Sequence, residues 1–220
     1  MGLFSRRPPA PLVPRPAGAA AQKAQVREVD ERHYGEAGFE RVGRTAAYRR
    51  EQVPGRVWLV VLDDLTDRDP VARSYVGVGL HDEALERAVA RVLPDWRYSP
   101  SMRSVSQGLP LPDDTSPDRL TQRALLLYAP GDGHAVERDR VGRVVAVAER
   151  LYGGLTTLEQ ARALVARSAD AVSPGGPQDR VRAALAATGA DGGRALERLA
   201  RQHPDLLPAV QAELRRLQAP

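Results

Sequence analysis

The run Val57-Trp58-Leu59-Val60-Val61-Leu62 decides the fold. Six consecutive apolar residues are too few for a typical helix. Three of them are β-branched, and turn residues stand on both sides, Val53-Pro54-Gly55 before and Asp63-Asp64 after. A run of that kind reads as a central strand buried on both faces. Working outward, residues 39–51 read as a strand joined to it by a hairpin across Pro54-Gly55. Residues 63–70 read as an acidic turn, and residues 74–80 as a third strand. A helix follows. Asp82 is its expected N-cap, Glu83 and Glu86 suit its first turn, and Ala84, Leu85, Ala88, Val89, Val92 and Leu93 keep helical spacing up to the stop at Pro94. Residues 125–129 read as another buried strand, closed by Pro130-Gly131-Asp132-Gly133.

Beyond that turn the pattern is helical. Val141, Val144, Val145, Ala148 and Leu151 share a face, and Gly153-Gly154 interrupts. Thr156 with Glu159 fits a capping box that opens the next helix. Pro174 to Pro177 is a break, and short Ala-rich amphipathic pieces run to the C-terminus, each needing neighbours to cover its apolar stripe. The expected architecture is therefore α+β: an antiparallel sheet with two packed helices over residues 28–152, then a small all-helical module over residues 153–220. Residues 1–27, with Pro8, Pro9, Pro11, Pro14 and Pro16 and few side chains to bury, are expected to form an unstructured Pro/Arg-rich tail.

Charge is unevenly placed in these 220 residues. The chain carries 32 Lys+Arg and 28 Asp+Glu, a net charge of +4. Residues 1–27 hold five basic side chains and no acid. Residues 28–133 hold 14 basic and 18 acidic side chains, and residues 134–220 hold 13 and 10. The globular part is thus close to neutral, and the tail accounts for the net positive charge. With no cysteine, disulfides, thiolate metal sites and a cysteine nucleophile are excluded. The sole lysine, Lys23, lies in the tail, which leaves no Schiff-base or P-loop lysine in the body. No run of 18 apolar residues predicts a membrane span, and the proline-rich start does not resemble a secretory signal. A cytoplasmic location is expected.

Several groupings bear on function. Arg6, Arg7 and Arg15 in the tail suit salt-sensitive attachment to an anionic partner. In the segment Trp96-Arg97-Tyr98-Ser99-Pro100-Ser101-Met102-Arg103, flat aromatic faces alternate with guanidinium groups. That combination suits stacking on bases with phosphate contacts, or a protein interface, or inward packing of Trp96 and Tyr98. Arg41, Arg44, Arg49 and Arg50 cluster on the first strand; alternation puts Arg41 with Arg49 and Arg44 with Arg50, and pairing with nearby acids is expected. Asp63, Asp64 and Asp67 follow a buried strand, where clustered carboxylates suit a hard divalent cation, with His81 or His134 as a base. Arg194, Arg198 and Arg201 lie on one face of a late helix.

The function expected is a non-catalytic binding or assembly protein. It is nucleic-acid-associated through Arg6, Arg7 and Arg15 and through Trp96, Arg97, Tyr98 and Arg103, and no cofactor is expected. The alternatives are a divalent-metal-dependent phosphoesterase on Asp63, Asp64 and Asp67, and a structural subunit of a homo-oligomer, with a protein partner or a second copy in place of nucleic acid.

Overall fold

A computed structural model of the chain describes residues 19–68, 71–108, 132–171, 176–187 and 189–218. The elements, in chain order, are α1 (Ala19–Glu36), β1 (Glu40–Arg41), β2 (Ala47–Val53), β3 (Val57–Arg68), β4 (Val71–Asp82), α2 (Glu83–Val92), β5 (Val105–Gly108), α3 (Asp132–Tyr152), α4 (Leu158–Ala171), α5 (Pro177–Ala186), α6 (Gly189–Gln202), a 3-10 turn (Pro204–Leu206) and α7 (Leu207–Gln218). The five strands form one antiparallel sheet in sequence order. The fold is α+β, with helices on the sheet and a helical C-terminal region.

The run 57–62 sits in the centre of the sheet, between β2 and β4. Val57, Leu59 and Val61 face the main core with Tyr48, Val78 and Leu80, while Val60 meets Ala47 and Val42 on the opposite face. Apolar side chains are buried on both faces, which is why the run shows no alternation. The β2–β3 hairpin turns at Pro54–Arg56 with Gly55 at φ +63, a conformation open to glycine without strain.

Three sequence expectations are corrected. Residues 63–68 are strand, not turn: β3 and β4 pair residue by residue from Val57–Asp82 to Arg68–Val71. The aspartates suggested a turn, but cross-strand pairing with an equally long neighbour decides the conformation. The stretch 39–51 is two strands, broken after Val42 by a turn with Gly43 at φ +56 and closed by Val42 N–H donating to Ala47 O at 2.9 Å. Alternation does not carry across that turn, so Arg41 pairs with Tyr48, and Arg49 with Glu40. The capping box of α4 is shifted by one residue. Thr157 Oγ1 accepts from Gln160 N at 3.2 Å, and Gln160 Oε1 accepts from Thr157 N at 3.2 Å and Thr156 N at 2.9 Å.

The α2 reading matches the structure. Asp82 caps the helix, accepting from Leu85 N at 3.0 Å, and Leu85, Ala88, Val89 and Val92 are buried. Helix α1 begins at Ala19, inside the stretch 1–27 expected to lack structure. The strand expected at 125–129 lies outside the described residues. One hydrophobic cluster runs from Tyr34 on α1 through the sheet and α2 to Val210 on α7. Among the described residues no helix is long and apolar enough to cross a membrane.

Candidate functional site

The buried charges come first, because they decide which groups are left for chemistry. Asp63 is buried near the middle of β3. Its Oδ2 accepts from Arg140 Nη2 of α3 at 2.6 Å and from the Tyr34 hydroxyl of α1 at 3.2 Å. The same Nη2 donates to Asp30 Oδ1 at 2.8 Å. Asp30 and Tyr34 are four residues apart on α1 and therefore share its inward face. Burial, with the Asp63 charge beside it, holds the Tyr34 hydroxyl well above its ordinary pKa, so it stays a donor.

The same construction recurs around α2. Glu86 is fully buried and takes both arms of a fork from Arg182 of α5, at 2.7 Å to Oε1 and 3.1 Å to Oε2. Burial alone would pull the Arg182 guanidinium down, but the Glu86 bonds outweigh it and hold the pKa above the ordinary value. Asp82, besides capping α2, accepts from Arg162 of α4 at 2.8 Å. Arg91 of α2 bonds Glu213 of α7 at 2.8 and 3.0 Å, and that fork, with Arg216 beside it, holds Glu213 below the usual carboxylate range. These pairs tie α1, the sheet and α2 to later helices.

These pairs bear on the candidate metal ligands. Asp63 is engaged by Arg140 and Tyr34. Asp64 and Asp67 lie further along β3, with side chains outside those described. Among the described residues no group of three or more His, Asp or Glu side chains is arranged to hold a metal ion. The first-strand arginines also carry counter-ions: Arg41 bonds Glu31 at 3.1 Å, Arg49 bonds Glu40 at 2.8 Å, and Arg50 bonds Glu149. A groove of about 550 Å³ beside β1 and β2, lined by Gly38, Phe39, Glu40, Arg49, Arg50 and Trp58 among others, is therefore close to neutral.

The aromatic and basic segment crosses from the end of α2 to β5. Trp96 packs partly buried against the core, with the Arg182 guanidinium 5.7 Å from its ring centre. Tyr98 lies under Arg87, 4.3 Å from ring centre to guanidinium carbon, and its hydroxyl is 3.5 Å from His81 Nε2. His81 is buried, and its Nδ1 lies 2.9 Å from Met102 O. A carbonyl only accepts, so the network assigns the proton to Nδ1 and leaves Nε2 facing the tyrosine hydroxyl. Ser104 fixes the far end: its N–H donates to Leu80 O at 2.7 Å, and its Oγ accepts from Asp82 N at 3.0 Å. Arg97 is left exposed. Arg103 is partly buried and lies along β4 over Gly77 and Gly79. Trp96 and Tyr98 are thus held by other side chains, while among the described residues Arg97 and Arg103 hold no carboxylate. Arg6, Arg7 and Arg15 lie outside the described residues, as does the side chain of His134. Sequence reasoning passed over Arg140 and Arg182, whose partners are 77 and 96 residues distant.

The His81 contacts carry a pH prediction. Burial lowers the His81 pKa below its ordinary value, so the unfolded chain takes up this proton first as pH falls. Stability from neutral His81 is present above the unfolded pKa of about 6.5 and is lost as pH falls below it. Urea midpoints measured at pH 7.5 and 5.5 should fall for the wild type, and the fall should be smaller in His81→Gln.

No protein family, characterised protein or solved structure matches the chain.

Proposed function

We propose that this chain is a non-catalytic binding protein whose partner is polyanionic, with single-stranded nucleic acid as the partner its arginines fit. One observation carries the reading. The buried carboxylates of the fold have arginine partners, whereas Arg97 and Arg103, on the segment between α2 and β5, hold no carboxylate among the described residues. The buried acids therefore act as counter-ions that build the scaffold, and the cations left over are available to a ligand. Arg6, Arg7 and Arg15 add three positive charges without an acid between them. Guanidinium groups fit phosphate in forked geometry, and their attraction depends on salt.

The test is the binding of the full chain to a fluorescein-labelled single-stranded 20-mer, followed by anisotropy across a salt series. Replacing Arg6, Arg7 and Arg15 together by glutamine should make the log–log salt slope shallower by about 2, at roughly 0.7 per phosphate contact. A slope unaltered by the triple substitution would remove the tail from the interface.

A further inference from the structure

We infer that Arg103, laid along β4 over Gly77 and Gly79, is the seat of one phosphate group of that partner. The two glycines are two residues apart and so share one face of the strand. A Cβ on Gly77 would stand 2.2 Å from Arg103 Nη1, and one on Gly79 would stand 3.0 Å from its Cδ and 2.1 Å from the Val105 carbonyl oxygen. Bare backbone at both positions is what lets the side chain lie flat. The furrow aligns Arg103 along the strand instead of leaving it free in solvent.

Three other withdrawn arginines set the contrast, while Arg180 of α5, also partly buried, resembles Arg103 in holding no carboxylate among the described residues. Arg140, Arg162 and Arg182 each reach a carboxylate within 2.8 Å. Arg103 is also partly withdrawn from water, and among the described residues it has no such partner. Burial pulls its guanidinium below the ordinary pKa, opposed by Tyr152 of α3. A guanidinium does not release its proton in proteins, so it stays charged and its N–H groups remain donors without an anion. A phosphate oxygen pair accepts two of them in parallel. Arg97 lies on the same segment and is exposed.

This inference rests on the polyanion reading and names its contact, so two probes separate the two claims. Wild type, Arg103→Gln and Gly77→Ala are compared on the labelled 20-mer at several salt concentrations and, separately, in thermal melts with and without inorganic phosphate. Gly77→Ala keeps the arginine and displaces only the far end of a flexible side chain, so the variant should retain its melting temperature if Arg103→Gln does not. Both variants should bind the 20-mer roughly tenfold more weakly, the scale of one charge-assisted contact, with a salt slope shallower by about 0.7. Phosphate should raise the melting temperature of the wild type more than that of either variant. Tight wild-type binding that neither substitution weakens would overturn the Arg103 seat and leave the polyanion reading standing. Phosphate stabilisation dependent on Arg103, in a chain that does not bind the 20-mer, would uphold the seat and remove nucleic acid as the partner. With neither probe bound by the wild type, both claims fall.

Discussion

Replacing Arg140 with methionine is expected to cost about 3–5 kcal/mol of folding stability, the scale for removing one partner of a buried pair. The side chains of Asp30 and Asp63 are 2% and 0% exposed, and Arg140 Nη2 serves both. Without it, two carboxylates held away from water lose the guanidinium that both share, while the Tyr34 hydroxyl still donates to Asp63. Domains of this size are held by about 5–15 kcal/mol, so such a loss removes much of the total. Urea unfolding followed by far-ultraviolet circular dichroism measures it. A loss below about 1 kcal/mol would mean that water reaches both aspartates, as at a surface pair.

The sequence made the frame of the fold legible where a local signal and a tertiary one agree. The run 57–62 is short, apolar and rich in valine, and it occupies the centre of the sheet. Asp82 stands before a clean helical stripe, and it is the cap. Legibility stopped where the deciding partner is distant in sequence. Asp63 and Asp64 follow an apolar run and read as a turn, yet β4 continues alongside and keeps them in strand. Thr156 and Thr157 offer equivalent hydroxyls, and only the conformation at the helix start selects Thr157 with Gln160. The candidate site divides in the same way. Trp96 and Tyr98 read either as flat faces for a ligand or as inward-packing rings; Trp96 meets Arg182, and Tyr98 lies between Arg87 and His81. No pattern within residues 96–103 names the partners, because Arg182 comes from another part of the chain. Arg103 was visible as a basic residue, but its setting depends on Gly77 and Gly79, which read from sequence only as small strand positions.

The second large effect is expected at Arg182. Its fork to Glu86 joins α2 to α5, with side-chain exposures of 7% and 0%. Arg182→Ala leaves Glu86 buried without its counter-ion and also uncovers one face of Trp96, so a loss of about 3–5 kcal/mol is expected. The double substitution Glu86→Leu with Arg182→Met should recover most of it, because removing both charges leaves no buried ion unmatched and the longer methionine still covers Trp96. In a Trp58→Phe background, intrinsic tryptophan fluorescence reports the Trp96 environment in the same titrations. A double variant as unstable as the single one would indicate that α2 and α5 are joined by packing alone, with the ion pair incidental.

Both stability effects follow from buried acids held by arginines, and the proposed function assigns the partner to the arginines that hold no such acid. The measurement that bears on it most directly is the affinity of the unaltered full chain for the single-stranded 20-mer at 50 and 200 mM KCl, with EDTA present throughout. Four phosphate contacts, from Arg6, Arg7, Arg15 and Arg103, at about 0.7 each predict roughly a fifty-fold weakening over that fourfold rise in salt. Binding that is absent at the lower salt, or equal at both, would contradict the account.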